Sequence, residues 1–487
     1  MKLLREIIYG VSILEIKGST NIAIEKLTFD SRQVQNLSLF VAVVGSKSDG
    51  HDFISNAENA GVSAIICETF PENLKEDITY IKVPDSSSAL GLIASNFYDN
   101  PSEKLQLIGI TGTNGKTTCA TILYDLFRLL GFKTGLISTV NIRVLHKTYA
   151  STHTTPDAIR INEVLHEMVS TGCTHVFMEV SSHALDQNRI HGLKFKIAVF
   201  TNISRDHLDY HNSFDEYISC KKKLFDNLLD DAFAIINYDD KHGEIMGANT
   251  LAKVISFGLN GKTNISSKVL ENDISGLTLE INGHEMTSRL VGRFNAYNLL
   301  VAFAVGKYLG QDELSLLTIL SSVKAPQGRF EYFLSDQKIT AVIDYAHTPD
   351  ALENVLKTLI DLKKGTEKVI TVFGCGGNRD KGKRPLMGEV ASRLSDQVLI
   401  TSDNPRNEDP DSIINEIYHG VPSILKEKVF TVTDRMEAIE MACNMASAGD
   451  VILIAGKGHE NYQIIGNESL HFDDMENTIH IFKKLKK

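Results

Sequence analysis

The stretch LQLIGITGTNGKTTCATILYDLFRLLG, residues 105–131, constrains the fold more than any other part of the chain. An apolar run leads into TGTNGKTT at 111–118, and apolar residues at helical spacing follow over 117–130, with Gly131 placed to stop the helix. A strand, a glycine loop and a helix in that order make a cradle for phosphate. Gly112 and Gly115 let backbone N–H groups converge, and the helix N-terminus faces the anion. Lys116 can reach the outer phosphates of a nucleotide, and Thr117 offers a hydroxyl to magnesium. The spacing departs from the usual pattern G-x-x-x-x-G-K-[ST], because Ile110 stands where the first glycine belongs. The competing reading is an ordinary strand–turn–helix corner with a chance Gly-Lys-Thr. The Gly-Lys in AGKGHE at 455–460 lacks the following hydroxyl residue and is not read as a second ATP loop.

The same alternation governs the rest of the chain. HVFMEV (175–180), IAVFTNI (197–203) and AFAIIN (232–237) read as buried strands. ITAVIDY, KVITVFG, QVLITSD, KVFTVTD and DVILIAG do so in the last third, each followed by a helical segment. Such alternation implies a mostly parallel sheet with helices on both faces, whose ligands sit at the carboxyl ends of the strands. Short apolar strands, LFVAVVG (39–45) and SAIIC (63–67), precede a polar linker, DNPSEKL at 99–105. A length of 487 residues suits about three domains of ~150 residues. The expected fold class is α/β in three domains: an N-terminal α/β domain (1–103), a central phosphate-loop domain with a mostly parallel sheet (104–333) and a C-terminal Rossmann-like domain (334–487).

Composition removes several function classes. At 43% hydrophobic and 23% charged the chain can build sizeable cores. A net charge of −11 argues against a nucleic-acid partner. Six scattered cysteines with no C-x-x-C pair fit free thiols in a reducing compartment. The N-terminus breaks its apolar residues with Arg5, Glu6, Glu15 and Lys17, so neither a signal peptide nor a membrane span is expected, and the cytoplasm is the expected location. The terminal lysines at 483–487 read as a solvated helix end. H-E-x-x-H and G-x-S-x-G are absent, which disfavours a zinc hydrolase and a serine hydrolase, and GCGGNRDKG at 374–382 is not a dinucleotide fingerprint.

The remaining polar motifs lie after apolar runs. MEVSSHAL (178–185) puts Glu179 at a strand end, and TNISRDHLDYH (201–211) supplies Asp206, His207, Asp209 and His211. Taken alone, the last two histidines at i, i+4 are a zinc pair or a polar loop. EYISCKKKLF (216–225) has three consecutive lysines, ordinarily a solvated helix face. TSDNPRNEDP (401–410) offers Asp403, Asn404, Pro405 and Arg406; the proline fixes the turn, and the arginine's planar fork suits a carboxylate.

Together GITGTNGKTT, MEVSSHAL, TNISRDHLDYH and EYISCKKKLF resemble the Mur ligases, ATP-dependent enzymes of peptidoglycan precursor synthesis that share the shortened glycine spacing. The resemblance implies that Thr111, Gly112, Thr113, Asn114, Gly115, Lys116, Thr117 and Thr118 hold ATP. Asn295 and Asn298 in VGRFNAYN would lie near its base. Magnesium would be held by Thr117, Glu179, His207 and Lys221, the last being carbamylated in the family; Lys116, Lys221 and His207 would carry the catalytic roles. QGRFE (327–331) is similar to the linker into the last domain.

TFDSRQVQNLSLFVAVVG resembles the N-terminal domain of the MurE type, which holds a UDP group, and points to Ser31. HTTPDA and SSHALDQNR imply Thr154, Thr155, Ser181, Gln187 and Arg189 for a UDP-N-acetylmuramoyl-dipeptide. The far loops imply Arg379, Asp403, Asn404, Pro405, Arg406, Gly456 and Glu460 for the amino acid, and the D-N-P-R run matches members that add meso-diaminopimelate instead of L-lysine. Asp344 and His347 in DYAHTPD also match, without an assigned step. Asn378 departs from the family's G-G-D-R-D. The implied activity is ATP-dependent ligation of meso-2,6-diaminopimelate to UDP-N-acetylmuramoyl-L-alanyl-D-glutamate through an acyl phosphate, with closure of the domains. The expected partners are small molecules, with no nucleic acid, no membrane insertion and a monomeric chain. A lysine-adding ligase, a folate polyglutamate synthase and a non-ligase ATPase of the same fold are the rival readings.

Overall fold

A computed structural model describes residues 1–45, 48–151, 153–208, 210–273, 275–363 and 365–487. Among the described residues the strands gather into three large sheets and two two-stranded ribbons. The central parallel strands of each large sheet are buried on both faces, so they read as continuous apolar runs. In the central sheet Ile108 and Ile110 turn toward the core that contains the helix Lys116–Leu129, while Leu107 turns to the opposite core. The first and third sheets are sandwiched in the same way.

The first sheet carries the strands Lys26–Thr28, Ser38–Val41, Ala64–Cys67 and Thr79–Lys82 in parallel, with Glu15–Lys17 antiparallel at its edge. The central sheet is parallel from Thr134–Ile137 through His175–Glu179, Gln106–Thr111, Ile197–Phe200, Phe233–Asn237 and Lys253–Gly258 to Ile265–Asp273. Antiparallel strands extend both of its edges. In the third sheet Thr340–Asp344, Val451–Ala455, Val369–Phe373, Gln397–Ile400 and Val429–Thr431 run parallel, and Glu331–Leu334 pairs antiparallel with the first of them.

Register decides which loops meet. Glu179 pairs with Ile110 and Phe200 with Thr111, so the phosphate loop, the Glu179 corner and the 201–211 loop leave the sheet side by side. In the third sheet Asp344 and Phe373 both pair with Ala455, and Phe373 with Ile400, which brings the loops after 344, 373, 400 and 455 together. Helices packed on these sheets start at sequence-encoded caps. Asp85, Asp157, Ser213 and Thr348 each accept a backbone N–H of the first turn, a contact worth about 1 kcal/mol apiece. The helix after the phosphate loop ends at Leu129, and Gly131 takes the left-handed φ of 93° that such a stop favours. Among the described residues no helix is long and apolar enough to cross a membrane.

The first sheet's helix Ser86–Phe97 docks on the central unit where Ser87 Oγ donates to the Gln187 carbonyl at 2.8 Å. The third unit docks on the phosphate loop. Asp350, in the first turn of Pro349–Leu362, accepts from Asn114 Nδ2 at 2.9 Å and from Ser204 Oγ at 3.0 Å.

Candidate active site

Gly112 and Gly115 take φ of 149° and 87°, and a Cβ on Gly112 would sit 2.0 Å from Thr201 Oγ1. The loop can therefore lie close against the neighbouring strand end only with glycine there. Asn202 braces it, its carbonyl accepting from Thr113 N and its Oδ1 from Asn114 N, both at 2.9 Å. Lys116 Nζ donates to the Gly112 and Thr113 carbonyls at 2.8 Å, and burial lowers its proton affinity. Lys221 Nζ, 1% exposed, donates to the same Gly112 carbonyl at 2.9 Å. Burial, then the charge of Lys116, pushes Lys221 well below the usual lysine value.

Glu179 is fully buried at the adjoining strand end. Its Oε2 accepts from Thr117 Oγ1 at 3.0 Å, and its Oε1 accepts from the backbone N–H of Thr139 at 2.8 Å. His207 sits in the left-handed region at φ 54°, with Nε2 3.4 Å from Asp206 Oδ2. Burial holds this imidazole well below the usual histidine value, against the pull of Asp206. Among the described residues no group of three or more His, Cys, Asp or Glu side chains is gathered closely enough to hold a metal. The expected set is thus assembled in part. Thr117 and Glu179 meet, His207 turns to Asp206, and Lys221, as a free amine, turns to a carbonyl. The donor chemistry still suits magnesium: a hydroxyl, a buried carboxylate and a neutral imidazole beside a phosphate cradle. Asp209 lies outside the described residues.

A cavity of about 910 Å³ runs from this loop to the third sheet. Its walls include Thr113 to Thr118, Glu179, His207, Asn295, Asn298, Thr154, Thr155, Ser181 and Arg189 on the central unit. The third unit adds Arg379, Asp403, Asn404, Arg406, Gly456 and Glu460. Thr111, Gly112, Gln187, Lys221, Pro405 and Ser31 do not line it. Gln187 stands behind the wall and accepts from Arg189 Nε at 3.0 Å, while Arg189 NH1 donates to the Thr155 carbonyl at 2.7 Å. Ser31 begins a short turn on the first sheet that Asp30 caps.

At the far end Asn404 Nδ2 donates to Glu460 Oε2 at 2.7 Å. Arg406, in the left-handed region at φ 53°, is anchored through NH1 to the Gly377 carbonyl at 2.9 Å, which aims its guanidinium into the cavity. Asn378 donates its backbone N–H to Glu408 Oε1 at 2.5 Å, so the departure there is absorbed by a backbone contact.

These features have close relatives. Family models match three successive segments: 23–98 as "Mur ligase family, catalytic domain", 110–306 as "Mur ligase middle domain" and 328–458 as "Mur ligase, glutamate ligase domain". The chain belongs to the Mur ligase family. A Cytophaga hutchinsonii relative, named UDP-N-acetylmuramoyl-L-alanyl-D-glutamate–2,6-diaminopimelate ligase, is 52% identical over 97% of each chain. A Bacteroides fragilis relative of the same name is 48% identical over 98% of this chain and 99% of its own. A solved structure titled as that ligase superposes with a TM-score of 0.71 at 31% identity, covering 100% of this chain and 99% of its own.

In this Mur ligase the structure also gathers residues that sequence reasoning passed over. Arg329, quoted only as part of a linker, donates from NH2 to Thr117 Oγ1 at 3.1 Å across the two units and lies 4.5 Å from the Tyr345 ring centre. Asp344 holds that linker in place by accepting from Phe330 N at 2.7 Å. Thr139 shares Glu179 with Thr117. The arginine carried a signal, a cation after a glycine at the entrance to the last sheet; Thr139 carried none.

Proposed function

We propose that this Mur ligase joins 2,6-diaminopimelate to UDP-N-acetylmuramoyl-L-alanyl-D-glutamate at the expense of ATP, acting as a monomer in the cytoplasm. The observation that carries the reading is the shared cavity: the phosphate loop and the Asp403–Arg406 loop line one cleft, so an activated acid made at one end meets an amine held at the other. The relatives' names agree with the substrates, and the first-unit match over 23–98 favours this reading over a folate polyglutamate synthase.

In this reading domain 1–103 takes the uridine diphosphate through Ser31, and Thr154, Thr155, Ser181, Gln187 and Arg189 hold the dipeptide arm. Domain 104–333 holds ATP on residues 111–118, with Asn295 and Asn298 toward the base. Lys116 and the loop amides stabilise negative charge as the D-glutamyl carboxylate oxygen attacks the γ-phosphorus. The bond to the β-phosphate oxygen breaks, giving ADP and an acyl phosphate. The amine of diaminopimelate, held in domain 334–487 by Arg379, Asp403, Asn404, Pro405, Arg406, Gly456 and Glu460, attacks the acyl carbon. Phosphate leaves, a proton is released and an amide remains. Magnesium would be held by Thr117, Glu179, His207 and carbamylated Lys221, and would supply charge neutralisation at the transferring phosphate. Closure of the units around the acyl phosphate keeps water out.

ADP release with the UDP-dipeptide tests this directly. It is expected with meso-diaminopimelate and not with L-lysine; preference for lysine, or ADP release that needs no amine, overturns the reading. Arg406→Ala is expected to weaken apparent diaminopimelate affinity by about 1.5–3 kcal/mol, roughly 10- to 150-fold, by removing the charged partner of the second carboxylate. An unchanged KM for diaminopimelate removes Arg406 from the pocket.

A further inference from the structure

The Gly-Lys of AGKGHE is followed by no nucleotide-loop hydroxyl, yet its lysine is fully buried beside the amino-acid end of the cavity. Lys457 Nζ donates to the Tyr462 carbonyl, to Asn404 Oδ1 at 3.3 Å and to Glu460 Oε2 at 3.5 Å, and lies 3.8 Å from Asp403 Oδ1. Its three donor positions are thereby used. We propose that Lys457 is a positioning residue of the amino-acid pocket: its ammonium sits behind Asp403, Asn404 and Glu460 and sets them to receive the ammonium end of the incoming amino acid. The inference rests on the amino-acid site of the preceding reading and adds a residue to it.

Three observations support this. First, Asn404 is held one way round. Its Oδ1 accepts from Lys457 and from Ile464 N at 2.9 Å, which leaves Nδ2 for Glu460 Oε2 at 2.7 Å. Second, one acceptor is left open. Asp403 Oδ1 is buried with no hydrogen-bond partner among the described residues and lies 3.8 Å from Lys457, whose three donor positions are already used, so that oxygen is free to accept from an incoming ammonium. Third, Arg435 is paired with Asp474 at 2.8 Å, while Lys457 is the cation in ion-pair range of both Asp403 and Glu460 among the described residues.

Without Lys457, Asp403 and Glu460 face each other in a low-dielectric pocket. Burial, then Asp403, already raise the proton affinity of Glu460, and Lys457 opposes that rise. Removing the ammonium lets one carboxylate take a proton, and a pair that shares a proton attracts an ammonium poorly. Methionine keeps most of the buried stem, so Lys457→Met is the informative change.

The test is steady-state ADP release by wild type, Lys457→Met, Glu460→Gln and the double variant, with each KM measured and melting temperatures recorded. The wild type is run first, with meso-diaminopimelate and with L-lysine. If lysine is the amino acid used, the diaminopimelate reading falls and Lys457 is tested with lysine. Lys457→Met is expected to raise KM for the amino acid at least tenfold, with KM for ATP and for the UDP-dipeptide within twofold. In the Glu460→Gln background, where the facing carboxylate pair is gone, the same change should shift that KM less than threefold. An unchanged amino-acid KM, equal effects in both backgrounds, or a fall in kcat, affinities and melting temperature together each overturns the proposal.

Discussion

Lys116→Met is expected to slow ADP formation by about 10³-fold, the upper end of what one preorganised donor to a developing charge contributes. The loss is expected on rate and not on folding. Lys116 Nζ is folded onto the Gly112 and Thr113 carbonyls, and Lys221 donates to the same Gly112 carbonyl. Two amines converge on one carbonyl oxygen with their proton affinities lowered by burial, Lys221 further by the charge of Lys116. A buried charge without a carboxylate partner costs stability. Methionine fills much of the same volume and removes that charge, so the melting temperature should hold or rise while turnover collapses. Single-turnover ADP formation at saturating ATP, set beside a thermal melt, reads both quantities. A variant that turns over within tenfold of wild type removes Lys116 from phosphoryl transfer; one that melts far below wild type makes it a structural lysine.

The parallel strands were legible because each is buried on two faces: KVITVFG and DVILIAG contain the strands Val369–Phe373 and Val451–Ala455. The loops that carry chemistry were legible for the same reason, since they follow such runs. The antiparallel edges, such as Lys147–Ala150 with its largely exposed residues, show no comparable pattern. Long-range contacts were illegible on physical grounds. Arg329 and Thr117 are 212 positions apart, and Asn114 and Asp350 are 236 apart, so they meet only through strand register and the docking of two separate sheets. Lys457 shows the converse case. A motif rule does not read it as a nucleotide loop, and its burial against two carboxylates appears only once the 401–406 and 455–460 loops are brought together. Ser31 was taken from the resemblance of its D-S-R motif, and its turn on the first sheet does not reach the cavity wall.

Lys221→Ala is expected to lower ADP formation by several kcal/mol of lost charge stabilisation, about 10³-fold or more. Three consecutive lysines resemble a solvated face, and helix geometry sorts them. Lys222 pairs outward with Asp226 and Lys223 lies 3.9 Å from Asp186, whereas Lys221 turns inward with Tyr217, Cys220 and Leu224. Its Nζ lies 4.6 Å from the Tyr217 ring centre and donates to the phosphate loop itself. Burial lowers the proton affinity of this amine, and in its unprotonated form it can add to the carbon of carbon dioxide: the N–C bond forms, one proton leaves, and a cation-forming group becomes an anionic oxygen donor. Arginine, which stays protonated, cannot follow that course, so Lys221→Arg should lose as much activity as Lys221→Ala. Lys222→Ala and Lys223→Ala should stay within twofold of wild type. With ¹³C-labelled bicarbonate the wild type should show a carbamate carbon resonance that both Lys221 variants lack. Full activity in Lys221→Arg would mean that a positive charge at this position suffices, and the carbamate would then have no part in the reaction.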